Sequence, residues 1–213
     1  MDLKFKKYWR KTSLKNIKDG NFLLNHIYTL KPKNFLEIGV FHGVTSRNVC
    51  ELLNLIHGNE FKFTGIDLFE NDGQKLNEEI APKTKFSNPL KNIYYRYILN
   101  LDPYSYQSVI KLLKKFKRNI SILKGNSNNL LKDLEVDKFD YVFLDGGHKY
   151  ETVRNDLEYL KNVVKNKGTI LCDDYNLSYA PGVKKSIDEY VAKYNFKLKI
   201  YNERFAEITF KST

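Results

Sequence analysis

At 213 residues the chain is the length of one substantial domain, enough to bury a core without disulfide or metal staples. A hydrophobic fraction of 42%, with 15 Tyr and 14 Phe, excludes an intrinsically disordered polymer. The formal net charge of +11 admits nucleic acid, an anionic surface or an acidic substrate, but the lysines are spread along the chain beside Asn, Ile and Tyr, the bias of an AT-rich genome, so the charge forces none of these partners.

The N-terminal MDLKFKKYWRK is basic but has no apolar h-region or small-residue cleavage site, and no apolar run is long enough to span a bilayer; a soluble, unprocessed chain is expected. A helical region follows over about 12–30, within an N-terminal part that runs to residue 33. NFLEIGV (34–40) is a first strand leading into a helix over about 44–56, and FKFTGIDL (61–68) is a second strand. Residues 70–118 then hold more chain than a crossover needs. This insertion carries NPLKNIYYRYILNLDPYSY, with Pro89 and Pro103 as breakers, and reads as helices that pack on the sheet or form a lid. Its end, KLLKKFKR (111–118), places Leu112, Leu113 and Phe116 at helical spacing with the lysines opposite, an ordinary solvated helix face.

ISILKG (120–125) is a third strand, followed by SNNLLKDL with Ser127 as the expected N-cap. FDYVFLD (139–145) precedes YETVRNDLEYLKNVV, where Val153, Leu157, Leu160 and Val164 are in helical register. GTILCDD (168–174) precedes a helix opened by Pro181, and FKLKIYN and FAEITFK form a hairpin around Glu203 and Arg204. The alternation predicts a single α/β domain over 1–213, a doubly wound, Rossmann-like, mostly parallel sheet with helices on both faces. Cys50 and Cys172 lie far apart with no CxxC or zinc-type spacing, which fits a reducing, cytoplasmic setting.

Two stretches carry chemistry. FLEIGVFHGVTS (35–46) joins a strand to a helix through a glycine loop, the turn at which a doubly wound sheet holds a nucleotide-like ligand on backbone N–H groups. A dinucleotide fingerprint is G-x-G-x-x-G; here the pattern is Glu37-x-Gly39-x-x-x-Gly43, with Ser46 closing the stretch. An acid in that place repels a pyrophosphate and suits a cationic ligand, such as the ammonium and sulfonium of S-adenosylmethionine. Asp67 ends the second strand, where it can accept hydrogen bonds from two ribose hydroxyls. His42, in the loop, is either a bystander or a contact to substrate or cofactor.

The second constellation is FLDGGHKY (143–150) with LCDDY (171–175). Asp145 ends one strand and Asp173 and Asp174 end the next, and in a 3-2-1-4-5 sheet those strands are neighbours. Crowded carboxylates repel unless a cation or proton sits between them, and oxygen ligands without Cys suit Mg²⁺, Mn²⁺ or Ca²⁺. His148, three residues past Asp145, can take a proton from a hydroxyl near neutral pH. Asp156 is expected as a buried anchor of its helix, Tyr175 and Asn176 as pocket lining, and His26 and His57 have no nameable partner.

On these residues the chain resembles the class I S-adenosylmethionine-dependent methyltransferases, and within them the metal-dependent O-methyltransferases of the catechol and macrolide-sugar (macrocin) type, over about residues 34–211 less the insertion. The resemblance implies seven strands in the order 3-2-1-4-5-7-6. It implies that Glu37, Gly39, Gly43 and Ser46 hold the methionine part of the donor, Asp67 the ribose, and Asn126 with Ser127 the adenine side; Asn126 stands where the family often has aspartate. Asp145 is implied at the donor as well and, with Asp173 and Asp174, on the metal; His148 and Asp145 are the implied catalytic pair, His148 as general base. The implied activity is methylation of a hydroxyl on a sugar, glycan or related small molecule by a cytoplasmic enzyme without nucleic-acid partner or membrane span, often a homodimer or larger. Two rivals stand beside it: a catalytically silent donor-binding or structural protein, and a nucleic-acid methyltransferase, which the charge favours but the lack of an N/D-P-P-Y/F motif does not.

Overall fold

The computed structural model describes residues 3–69, 86, 88–100 and 102–210. Helix α1 (Ile17–Leu30) precedes β1 (Asn34–Ile38), α2 (Val44–His57) and β2 (Lys62–Asp67). Next come α3 (Pro89–Ile93), running into a π-helical turn (Tyr94–Ile98), then α4 (Tyr106–Leu113), β3 (Ile120–Lys124) and the short α5 (Ser127–Leu130). The chain continues with β4 (Phe139–Leu144), α6 (Tyr150–Val163), β5 (Val164–Cys172), α7 (Pro181–Tyr194) and the hairpin β6 (Lys197–Tyr201) and β7 (Phe205–Thr209).

The strands form one sheet in the order β3-β2-β1-β4-β5-β7-β6, as the resemblance implied. The first five are parallel, and β7 runs antiparallel between β5 and β6. Because successive strand residues point to opposite faces, Phe35 joins one core layer and Leu36 the other. Phe35, Phe63, Tyr141 and Phe205 pack under α1, α2 and α4, while Leu36, Val142, Ile170 and Ile208 pack under α6 and α7. Phe35 stacks on Tyr141 at 5.0 Å and on Phe63 at 5.8 Å, so the aromatic layer runs across three neighbouring strands.

Several boundaries differ from the sequence reading. Strand β5 begins at Val164, not 168, with a register shift between its pairings at Phe139 and Tyr141, and Asp173 and Asp174 lie just past its end. Asn126, not Ser127, is the N-cap of α5: its side chain accepts from the Asn128 N–H, and Ser127 is the first helical residue. The expected helix over 12–30 starts only at Ile17, with Asn16 as its cap. Helix α4 packs on α2 and β3, so it is the crossover helix itself and the extra chain ends before it. The part of the insertion at 70–85 lies outside the described residues. Lys111, Lys114, Lys115 and Lys117 are exposed and Leu113 and Phe116 buried, the solvated helix face that was expected. Among the described residues no helix is long and apolar enough to cross a membrane.

Candidate active site

The carboxyl ends of β1, β2, β4 and β5 meet along one edge of the sheet, and short backbone bonds carry the pairing into the loops: Gly39 N–H to Ile66 O at 2.9 Å, Asp145 N–H to Ile38 O at 2.8 Å and Asp173 N–H to Leu144 O at 2.9 Å. Gly39 has φ +94, and a Cβ on it would lie 1.9 Å from the Asp145 carbonyl oxygen. A side chain at 39 would therefore drive the glycine loop off the β4 loop.

On the β1 and β2 side, Glu37 is fully buried. Its Oε2 accepts from Ser46 Oγ at 2.5 Å, and its Oε1 has no partner. Burial pushes its carboxyl up to about 8; the Ser46 hydrogen bond opposes this and the nearby Asp67 charge adds to it. The Asp67 carboxylate accepts from Phe41 N–H at 2.7 Å, Phe69 N–H at 3.0 Å and the Tyr104 hydroxyl at 2.9 Å. Burial holds Asp67 above its ordinary range despite these bonds. Phe41 takes φ 51, a conformation bulky residues avoid, and its N–H on Asp67 helps to hold it there. Asn126 and Ser127 follow Gly125, whose N–H bonds the Asp67 carbonyl at 2.9 Å, so their loop adjoins the end of β2.

On the β4 and β5 side, ligand oxygens of Asp145, Asp173 and Asp174 lie within 4.8 Å of one another. Asp174 takes φ 59, and its N–H bonds Asp173 Oδ1 at 2.8 Å, which turns the two neighbouring acids to different partners. Arg204, from the β6–β7 turn, grips Asp173 with Nε on Oδ1 at 2.5 Å and Nη2 on Oδ2 at 2.6 Å. His148 Nε2 lies 2.9 Å from Asp174 Oδ2, and the Tyr179 hydroxyl donates to Asp174 Oδ1 at 2.7 Å. Burial raises Asp174, but these bonds and the Arg204 charge outweigh it and leave the carboxyl below its usual range. Burial and the charges of its two neighbours push Asp145 well above that range, although the Ser13 hydroxyl donates to its Oδ2 at 2.6 Å. A carboxyl held up in this way takes a proton or a cation, and an oxygen-only donor set fits a hard divalent ion.

The three acids and His148 line one small cavity of about 10 Å³ with Gly146 and Gly147. Tyr175 and Asn176 instead line an open groove of about 630 Å³ against α7 that includes neither Asp145 nor Asp173 nor Asp174. Gly182 lets α7 close on the histidine loop: a Cβ there would meet Tyr150 N at 2.5 Å and His148 O at 2.9 Å. His42 is buried, its Nε2 unpartnered, and burial with the Arg10 and Lys11 charges lowers it to about 3. Asp156 is buried and accepts from Asn128 Nδ2 at 3.3 Å, the anchor that was expected. His57 bonds the Lys31 and Pro32 carbonyls, and His26 pairs with the Tyr141 hydroxyl at 2.8 Å.

Ser13 and Arg204 were not read as site residues, and neither belongs to a local motif. Ser13 lies in a non-helical N-terminal stretch that crosses the edge: Arg10 donates to the His42, Pro103 and Ser108 carbonyls, and Lys11 N–H to His42 Nδ1. Arg204 was visible only as a turn residue.

A family model described as a methyltransferase domain matches residues 36–175. The chain belongs to this family of S-adenosylmethionine-dependent methyltransferases, on the class I fold described above. No curated protein matches the sequence. Among solved structures, the O-methyltransferase NovP aligns with TM-score 0.65 and 18% identity over 89% of this chain and 80% of its own. The methyltransferase PaMTH1 of Podospora anserina, bound to SAH, aligns with TM-score 0.61 and 16% identity over 93% and 80%. CalS11, a TDP-rhamnose 3'-O-methyltransferase of calicheamicin biosynthesis, aligns with TM-score 0.60 and 13% identity over 92% and 80%.

Proposed function

We propose that the protein transfers the methyl group of S-adenosylmethionine to a hydroxyl oxygen of a sugar, a glycan or a related small molecule, with His148 as general base and a divalent cation, Mg²⁺ or Mn²⁺ or Ca²⁺, at the acid cluster. The observation that carries this reading is the contact of Gly39 with the Asp145 backbone, which sets the loop suited to a cationic donor against the loop that carries Asp145 and His148. Glu37 presents its unpartnered oxygen to the donor's positive end, with Gly39, Gly43 and Ser46 shaping the loop around the methionine part. Asp67 receives the ribose, and Asn126 and Ser127 flank the adenine. The bond from Tyr104, in the insertion, to Asp67 supports a lid role for that part of the chain.

The Asp174 carboxylate beside His148 Nε2 orients the imidazole and favours its role as a base. In the transfer the acceptor oxygen bonds the methyl carbon as the sulfonium C–S bond breaks, the hydroxyl proton passes to His148, and S-adenosylhomocysteine leaves. Carboxylates of this acid cluster would hold the cation, which supplies a Lewis acid that lowers the pKa of a hydroxyl. Two adjacent hydroxyls suit such a site, and the likeness to CalS11 supports a sugar as their source. The buried, unpaired Cys50 and Cys172 accord with a cytoplasmic setting.

The test is mass spectrometry of sugars, nucleotide sugars and catechols incubated with labelled donor, with and without EDTA. A methyl gained only with metal is expected. Full transfer by His148→Ala in the presence of chelator overturns the reading, and a chain that turns over no donor with any polyol is a silent binding protein instead.

A further inference from the structure

Resting on the reading that the acid cluster takes a divalent cation, we propose that Asp173 is not one of its ligands: Asp173 is the docking carboxylate of Arg204, and the cation is held by the side chains of Asp145 and Asp174. Arg204 is thus a built-in cation that narrows the site.

Arg204 spends four of its five N–H donors on neighbouring oxygens. Nε and Nη2 engage both Asp173 oxygens at 2.5 and 2.6 Å, Nη1 reaches Asp19 Oδ2 at 3.1 Å, and Nη2 also lies 3.5 Å from the Ser13 carbonyl. The backbone holds the arginine in place as well, because its carbonyl accepts from Tyr175 N–H at 2.8 Å, one residue past the acid pair. Asp173 Oδ1 takes a second hydrogen bond from the Asp174 N–H at 2.8 Å, which uses up that oxygen's lone pairs. The side chain of Asp173 is wholly inaccessible and that of Arg204 is 14% exposed, so swinging them apart would leave a buried charge without a partner.

Asp145 and Asp174 are placed differently. Among the described residues, Asp145 receives a neutral hydroxyl, from Ser13, and no charged donor. Asp174 receives the Tyr179 hydroxyl and the His148 imidazole, and its nearest guanidinium nitrogen is 3.6 Å away. Neither carboxylate is held bidentately by a fixed cation. With Arg204 offsetting Asp173, the two remaining negative charges balance one divalent ion.

The deciding experiment is Mn²⁺ binding, followed by electron paramagnetic resonance, to the unaltered protein, to the charge-neutral pair Arg204→Gln/Asp173→Asn, and to Asp145→Asn. The double variant is expected to bind within about threefold of the unaltered protein, and Asp145→Asn to lose tenfold or more. A tenfold or greater loss in the double variant overturns this inference alone. Absence of Mn²⁺ binding from every protein overturns the cation reading and this inference with it. A Mn²⁺-soaked crystal of the unaltered protein decides the matter without any substitution: an anomalous peak on Asp145 and Asp174 with both Arg204–Asp173 bonds intact is expected, and Asp173 in the coordination sphere overturns the proposal.

Discussion

The donor edge and the acid edge adjoin each other, yet their carboxylates are finished in different ways. Glu37 is fully buried with one hydroxyl donor and one oxygen left over. Asp173 and Asp174, also buried, are gripped by a guanidinium, an imidazole and a tyrosine hydroxyl. An unsatisfied buried carboxylate oxygen costs free energy until a ligand arrives, whereas a satisfied pair holds its geometry without one. On the proposed function, the donor edge is completed by the cofactor's positive end, while the acid edge keeps an imidazole and a charge balance in place beforehand.

The largest break in this comparison comes from the acid edge. His148→Ala is expected to fold, to bind donor with unchanged affinity by calorimetry, and to lose methyl transfer by about 10²- to 10⁴-fold, the usual worth of a general base. Donor affinity falling in step with activity would show that the two edges are not separate. Phe35→Ala strikes the core that both edges share, since Phe35 stacks between Tyr141 and Phe63 on the two neighbouring strands. It should cost about 3–5 kcal/mol in denaturant unfolding.

Glu37→Gln tests the donor edge alone. Losing a charged hydrogen-bond partner should weaken donor binding by about ten- to a hundredfold, with turnover of saturated enzyme much less affected. The same residue sets a pH dependence. Its folded pKa of about 8 lies above its ordinary value of 4.5, so the unliganded protein holds this proton at pH 7 and loses stability as pH rises through that window. Donor binding at pH 7 should therefore release a proton, seen as a binding enthalpy that varies with the ionisation heat of the buffer. The release should vanish in Glu37→Gln and above about pH 9; a buffer-independent enthalpy in the unaltered protein would contradict it. The smallest effect is expected from Ser13→Ala, which deletes one hydroxyl donor to Asp145. A loss of about 1 kcal/mol in thermal unfolding is expected, and rescue by Ser13→Thr would tie the loss to the hydroxyl.

How much of this was legible in the sequence depends on the range over which each feature is encoded. Glu37, Gly39, Gly43 and Ser46 sit within ten residues of one strand–loop–helix turn, so the donor loop could be read as a pattern. The N-cap at Asn126 was displaced by one residue because Asn and Ser are both good caps and only backbone geometry chooses between them. The start of β5 was missed because a register shift interrupts its pairing with β4, and no periodicity records a bulge.

The sequence by itself determined the α/β order, the two core layers, the glycine loop with its acid, and the presence of Asp145, His148, Asp173 and Asp174 at neighbouring strand ends. The tertiary structure alone decided what each of those acids holds. Ser13 meets Asp145 across 132 residues, Arg204 meets Asp173 across 31, and His148 meets Asp174 across 26. The physical reason is that helix and strand periods fix only which neighbours share a face. Long-range partners are chosen by charge and hydrogen-bond satisfaction after the sheet has closed, when a buried carboxylate must find whichever donor the fold has brought within reach.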